Sequence, residues 1–109
     1  MIAMNDIQEF VNQVATLFEP EQIILFGSYA TGSPNEDSDL DLLVIMPFEG
    51  KPWQAASRIR EKVRPRFPLD LLVRTPAMIR QRMAMNDVFL KDILQNGRVL
   101  YEAGNHRVG

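Results

Sequence analysis

The chain has 109 residues, ordinary apolar and charged fractions, no cysteine and a net charge of −2. That length allows one domain with one real core, and the mild negative charge argues against direct nucleic-acid binding. Lack of cysteine excludes a disulfide framework, a thiolate metal site and a thiol nucleophile, and the longest apolar stretch, Leu42 to Pro47, is far short of the ~20 residues that span a bilayer.

The first expected element is an amphipathic helix from Asp6 to Phe18. Ile7, Phe10, Val11, Val14, Leu17 and Phe18 recur at spacings of three and four, Asn5 or Asp6 caps the start, and Pro20 stops the end. Gln22 to Phe26 is a short apolar run closed by Gly27 and reads as a buried strand. Ser28 to Gly32 is a turn or one short helix, and Ser33 to Ser38 is loop by composition. Asp39 to Met46 reads as a strand that begins polar and becomes fully apolar. A loop over Pro47 to Lys51 leads into a helix from Pro52 or Trp53 to about Arg64, and Leu69 to Arg74 is a third strand.

Thr75 followed by Pro76 is a hydroxyl cap with proline at the first helical position, a helix start. Met78, Ile79, Met83 and Met85 supply the apolar side of that helix, as core or as a partner groove. Helix continues from Asp87 to Gln95 with Val88, Phe89, Ile93 and Leu94 inward. Gly97 caps it, and Arg98 to Tyr101 adds an edge strand. The fold class is α/β (α+β): a small mixed β-sheet flanked by helices. One domain is expected over residues 1–102 and a flexible tail over 103–109, with His106 part of the tail. No basic and then apolar leader opens the sequence, so a cytoplasmic protein with no membrane partner is expected.

Chemistry concentrates on a few residues. Asp39 and Asp41 stand two apart in a strand, so their carboxylates share one face about 6–7 Å apart. At the edge of an apolar strand two such charges raise each other's pKa unless a cation intervenes. An all-oxygen site selects a hard divalent ion, Mg²⁺ before Mn²⁺; on its own, so common a triplet fits an exposed strand end in water better. Asp70 lies among Leu69, Leu71, Leu72 and Val73, where an unpartnered charge is costly. It either pairs with Arg74 or another arginine, or its strand lies beside the second and it faces the same pocket. Three converging carboxylates would suffice for two metal ions. Gly27 and Ser28 follow a buried strand directly. Glycine admits a phosphate close to the backbone, and the following N–H groups and the Ser28 hydroxyl can bind it; the alternative is an ordinary strand-ending turn. Arg58, Arg60, Lys62, Arg64 and Arg66 form either a solvated helix face or a patch for phosphate or an acidic partner.

Taken together, Gly27-Ser28, residues 29–38, Asp39-Leu40-Asp41 and the apolar strand that follows resemble the signature of the DNA polymerase β nucleotidyltransferase superfamily. The stretch FGSYATGSPNEDSDLDLLVIM is similar to its minimal members, small antitoxins encoded beside a HEPN-domain toxin, and the resemblance runs from Gln22 to Arg74. It implies a polymerase β-like nucleotidyltransferase fold, phosphate contacts at Gly27 and Ser28, and catalytic and metal-binding roles for Asp39, Asp41 and Asp70. It further implies two Mg²⁺ ions, ATP as donor, and transfer of AMP to a tyrosine of a HEPN toxin. Relatives often carry a basic residue in the segment where this chain has Tyr29 and Thr31, so one phosphate contact is weaker or comes from the arginine cluster or Lys51. About 35 residues follow Arg74, too few for an added acceptor domain, so the acceptor is small or brings its own surface. Two other functions stay open: a stoichiometric antitoxin with a vestigial nucleotide site, and a transferase acting on an aminoglycoside-type small molecule.

Overall fold

The computed structural model describes residues 1–104. Residues 105–109, with His106 and most of the expected tail, lie outside the described residues. The elements follow in the order α1 Met4–Phe18, β1 Gln22–Phe26, α2 Ser28–Thr31, β2 Leu40–Ile45, α3 Pro52–Lys62, β3 Leu69–Arg74, α4 Pro76–Ala84, α5 Val88–Asn96 and β4 Arg98–Glu102. The four strands form one mixed sheet in the order β3-β2-β1-β4. β1 runs antiparallel to β2 and β4, whereas β2 and β3 are parallel. That parallel pair needs a crossover, which α3 supplies. The expected mixed sheet flanked by helices is the observed one.

Alternation along the strands splits the core in two. One face carries Ile23 and Leu25, Leu40, Leu42 and Val44, and Leu71 and Val73; it packs against Ile7, Phe10, Val11 and Val14 of α1 and Ala55 and Ile59 of α3. The other carries Ile24, Phe26, Leu43 and Ile45 and is covered by Leu90 and Ile93 of α5, with Ile79 and Met83 of α4 alongside. Each fully buried Ile, Leu or Val contributes about 1.5–3 kcal/mol relative to exposure, so the larger α1/α3 layer dominates stability.

Several ends differ from the sequence reading. α1 begins at Met4, before Asn5 and Asp6, because the Asp6 and Ile7 amides already bond the Ala3 carbonyl at 3.0 and 3.1 Å. Neither expected residue is the cap, although Asp6 still places an acid in the positive first turn. α1 ends with Glu19 in the left-handed region at φ 50°, its N–H bonding Ala15, and Pro20 follows. Leu17, expected on the apolar side, is exposed. At α3, the Gln54 side chain accepts from the Lys51 N–H at 2.8 Å, and Pro52 opens the helix. At α4, the Thr75 hydroxyl accepts from the Met78 N–H at 3.1 Å, the cap that the Thr-Pro pair implies.

The largest correction concerns α5. Val88, Phe89 and Leu94, expected inward, are 79%, 59% and 36% exposed, and Met85 of the preceding turn is 64% exposed. Asn86 adopts φ 58° and breaks the helical run, and Asp87 recaps it by accepting from the Leu90 N–H at 3.0 Å. The restart turns only Leu90 and Ile93 onto the sheet. Gly97 closes α5 in an extended conformation, not a left-handed one. A side chain there would strike the Ile93 carbonyl and stand 2.7 Å from Ile24, so glycine is required by close approach of the helix end to β1. Among the described residues no helix is long and apolar enough to cross a membrane.

Candidate active site

The parallel register of β2 and β3 sets Asp41 directly beside Asp70, with Leu40 opposite Leu69 and Leu42 opposite Leu71. Asp41 is also the cross-strand partner of Phe26, the last residue of β1. Because neighbours on a strand alternate, Asp41 and Asp70 point to the same face as Leu43, Phe26 and Leu72, the face covered by α5. Asp39 lies one residue ahead of β2 on the exposed rim.

Gly27 closes the other side. It sits at φ 74°, where side chains are disfavoured, and a Cβ there would collide with Oδ2 of Asp41. The end of β1 can therefore lie against the Asp41 carboxylate only as glycine. The chain then turns into α2, whose Ala30 and Thr31 amides bond the Gly27 carbonyl at 3.0 and 3.2 Å. α2 is a single turn, so any anion-binding capacity comes from its first N–H groups and the Ser28 hydroxyl, since a macrodipole needs length. Tyr29 does not line the acid pair: its hydroxyl accepts from the Ile2 N–H at 3.0 Å and its ring packs into the α1 layer.

The electrostatics are unbalanced. Burial pushes the Asp41 carboxyl above its ordinary 3.8, and the neighbouring carboxylates of Asp70 and then Asp39 push it further. Among the described residues the ion pair found is Arg82 with Asp87, remote from these acids. Arg74, one alternative partner for Asp70, instead donates to the Val73 carbonyl at 2.8 Å. In the arginine cluster, Arg60 donates to the Leu69 carbonyl at 2.5 Å and Arg58 to the Glu49 carbonyl at 3.2 Å. Arg60 thus fixes the start of β3, one residue before Asp70. Arg64 and Arg66 line a separate cleft of about 510 Å³ between α1 and residues 63–68, to which none of the five expected site residues contributes.

No three His, Cys, Asp or Glu side chains among the described residues stand close enough to cage a metal ion alone. What the chain offers is a tight carboxylate pair with a third carboxylate on the rim. All donors are hard oxygens, and no cation among the described residues forms an ion pair with them. That fits Mg²⁺, which takes one or two carboxylates and completes its shell with water and substrate phosphates.

Comparison with known proteins bears on the family and the fold. The nucleotidyltransferase domain family matches residues 7–101. A Methanocaldococcus jannaschii protein, provisionally named a protein adenylyltransferase, is 29% identical over 99 residues, covering 87% of this chain and 94% of its own length. Among solved structures, a provisionally assigned Sulfolobus solfataricus nucleotidyltransferase superposes with a TM-score of 0.65 at 20% identity, over 93% of this chain and 81% of its own. A toxin–antitoxin structure with AMP-PNP superposes with a TM-score of 0.58 at 19% identity, over 91% of this chain and 76% of the other. With the family match spanning nearly all of the sheet and its helices, this chain belongs to the nucleotidyltransferase domain family and is a nucleotidyltransferase.

Proposed function

We propose that this protein transfers AMP from ATP to a tyrosine of a partner HEPN toxin and acts as its antitoxin. The observation that carries the reading is the pairing of Asp41 with Asp70 on adjacent parallel strands, with Gly27 closing against the same carboxylate. The protein-acceptor half draws support from the provisional name of the Methanocaldococcus jannaschii relative and from the likeness to a toxin–antitoxin structure with AMP-PNP. That likeness is one of fold, so the toxin, its HEPN class and the tyrosine are part of the proposal.

In this reading Asp39 and Asp41 hold two Mg²⁺ ions, with Asp70 sharing in their coordination. The ions, when bound, supply positive charge that offsets the triphosphate and lowers the pKa of the acceptor hydroxyl. Ser28 and the first N–H groups of α2 bind phosphate oxygens. Gly27, with no side chain, lets those phosphates come close to the backbone. The acceptor oxygen forms a bond to the α-phosphorus in line with the bond that breaks, pyrophosphate leaves, and Asp70 takes the acceptor's proton. Asp70 suits that task because it need not serve both ions.

The test is incubation of the purified protein with Mg²⁺, α-labelled ATP and the protein encoded by the adjoining gene, followed by intact-mass measurement. An AMP-sized gain on the neighbour is expected, and Asp39→Asn with Asp41→Asn together should reduce it by at least a hundred- to a thousandfold, on the order of what a lost transition-state contact costs. Transfer that survives in the double variant would refute the roles of these acids. A complex that silences the neighbour without ATP, and no mass gain, would replace transfer by occlusion.

A further inference from the structure

The acid pair stands at one end of a groove that the proposed chemistry does not use. Side chains two apart on a strand share a face, so the row carrying Asp41 continues to Leu43, and the row carrying Asp70 continues to Leu72 and Arg74. Leu43 and Leu72 are paired in register. With Ile79 of α4 and Leu90 and Ile93 of α5 they line a groove of about 380 Å³. One strand step, about 6–7 Å, separates this floor from the carboxylates. Phe89 forms part of the wall. It is 59% exposed, although its ring meets Phe26 edge-on at 5.8 Å.

The charge of the groove is one-sided. Its charged liners are Arg74, Arg82 and Asp87. Asp87 is matched by Arg82 at 2.9 Å. Arg74 bonds the Val73 carbonyl and has no carboxylate within ion-pair distance among the described residues. The groove therefore complements an apolar side chain accompanied by an acid.

We propose that this groove docks the acceptor protein. A segment of that protein seats one large apolar side chain between Leu72 and the exposed Phe89 and sets a carboxylate against Arg74, while the residue to be modified reaches Asp41 and Asp70. The proposal rests on the protein-acceptor reading and assigns it a surface. Gln81 and Arg74 are liners that a nucleobase edge would also meet, so nucleotide affinity is measured alongside. A small sugar fits less well, because Leu72, Ile79 and Phe89 line the groove with apolar surface that a compact polar acceptor would leave uncovered.

The deciding measurement is calorimetric affinity, without ATP, for the protein encoded by the adjoining gene. It compares the wild type, Met78→Trp to fill the groove that Met78 also lines, Arg74→Glu to reverse its charge, and Arg74→Gln as the mild variant. Affinity for ATP with Mg²⁺ and the melting temperature are measured on the same samples. Binding is expected to weaken at least tenfold in Met78→Trp and Arg74→Glu and less in Arg74→Gln, with nucleotide affinity and melting temperature held. Variants that bind like the wild type would overturn the proposal, as would a wild type that does not bind. Nucleotide affinity that falls in parallel would also overturn it, by assigning the groove to the nucleotide. A wild-type complex weakened by the variants but showing no AMP transfer would uphold the docking surface and remove the transfer reading.

Discussion

Asp41 bears the electrostatic cost of the site, and its sign is checkable. Burial, then Asp70 and Asp39, hold its carboxyl above 3.8 in the folded chain. A raised acid pKa means that the folded chain keeps protons which the unfolded chain has shed. Stability therefore falls as pH rises from 3.8 through the folded value, and the penalty is fully present above that value. Asp41→Asn removes it, so the metal-free variant is expected to melt above the wild type at pH 7. The gap should close below pH 3.8, as followed by circular dichroism. A variant that melts below the wild type at pH 7 would show that Asp41 is held by contacts rather than strained by charge. Much of this residue's setting was legible from sequence. The Asp39-Leu40-Asp41 spacing put the two acids on one face, and Asp70 in its apolar strand pointed to a partner surface. What could not be read was that Asp41 and Asp70 would share a register position while Asp39 stayed on the rim. Register between strands separated by a crossover depends on how α3 seats, and no local pattern encodes that.

At the scale of elements, the strand reading held closely because short apolar runs bounded by Gly and Pro leave few alternatives; β1 and β3 were expected over the spans they occupy. The helices after β3 were harder. A nine-residue helix on a sheet needs only two buried contacts, and here Leu90 and Ile93 provide them, so the apolar residues around them carry no orientation signal. Asp87 does decide the matter locally. Its carboxyl is held below 3.8, chiefly by the Leu90 N–H and then by Arg82. A lowered acid pKa is stability present above 3.8 and lost as pH falls through the folded value. Asp87→Ala removes both the cap and the Arg82 pair and is expected to lower the melting temperature by about 4–8 °C at pH 7. The difference should shrink on acidification, as the Asp41→Asn difference does, but with the opposite sign: this variant melts below the wild type. An unchanged melting temperature at pH 7 would mean that α5 is held by Leu90 and Ile93 alone.

For the whole molecule, an ion bound only by the folded chain adds stability by mass action. Mg²⁺ at about a hundred times its dissociation constant is expected to contribute about 2.7 kcal/mol to the wild type and none to the Asp39→Asn, Asp41→Asn variant, as measured by urea unfolding. How that stabilisation divides between rates follows from the sheet order. β1 and β2 can join as soon as residues 27–39 close, which brings Gly27 to Asp41. Asp70 arrives only when the α3 crossover lays β3 alongside, a non-local closure whose entropic cost comes late. Refolding monitored by stopped flow should then proceed at the same rate with or without Mg²⁺, while unfolding slows about a hundredfold. Acceleration of refolding by the ion would place the parallel pair in the folding nucleus instead. If the slow step is unfolding, the bound ion acts as a latch on a completed molecule: it sets how long the native state lasts and has no part in how it is reached.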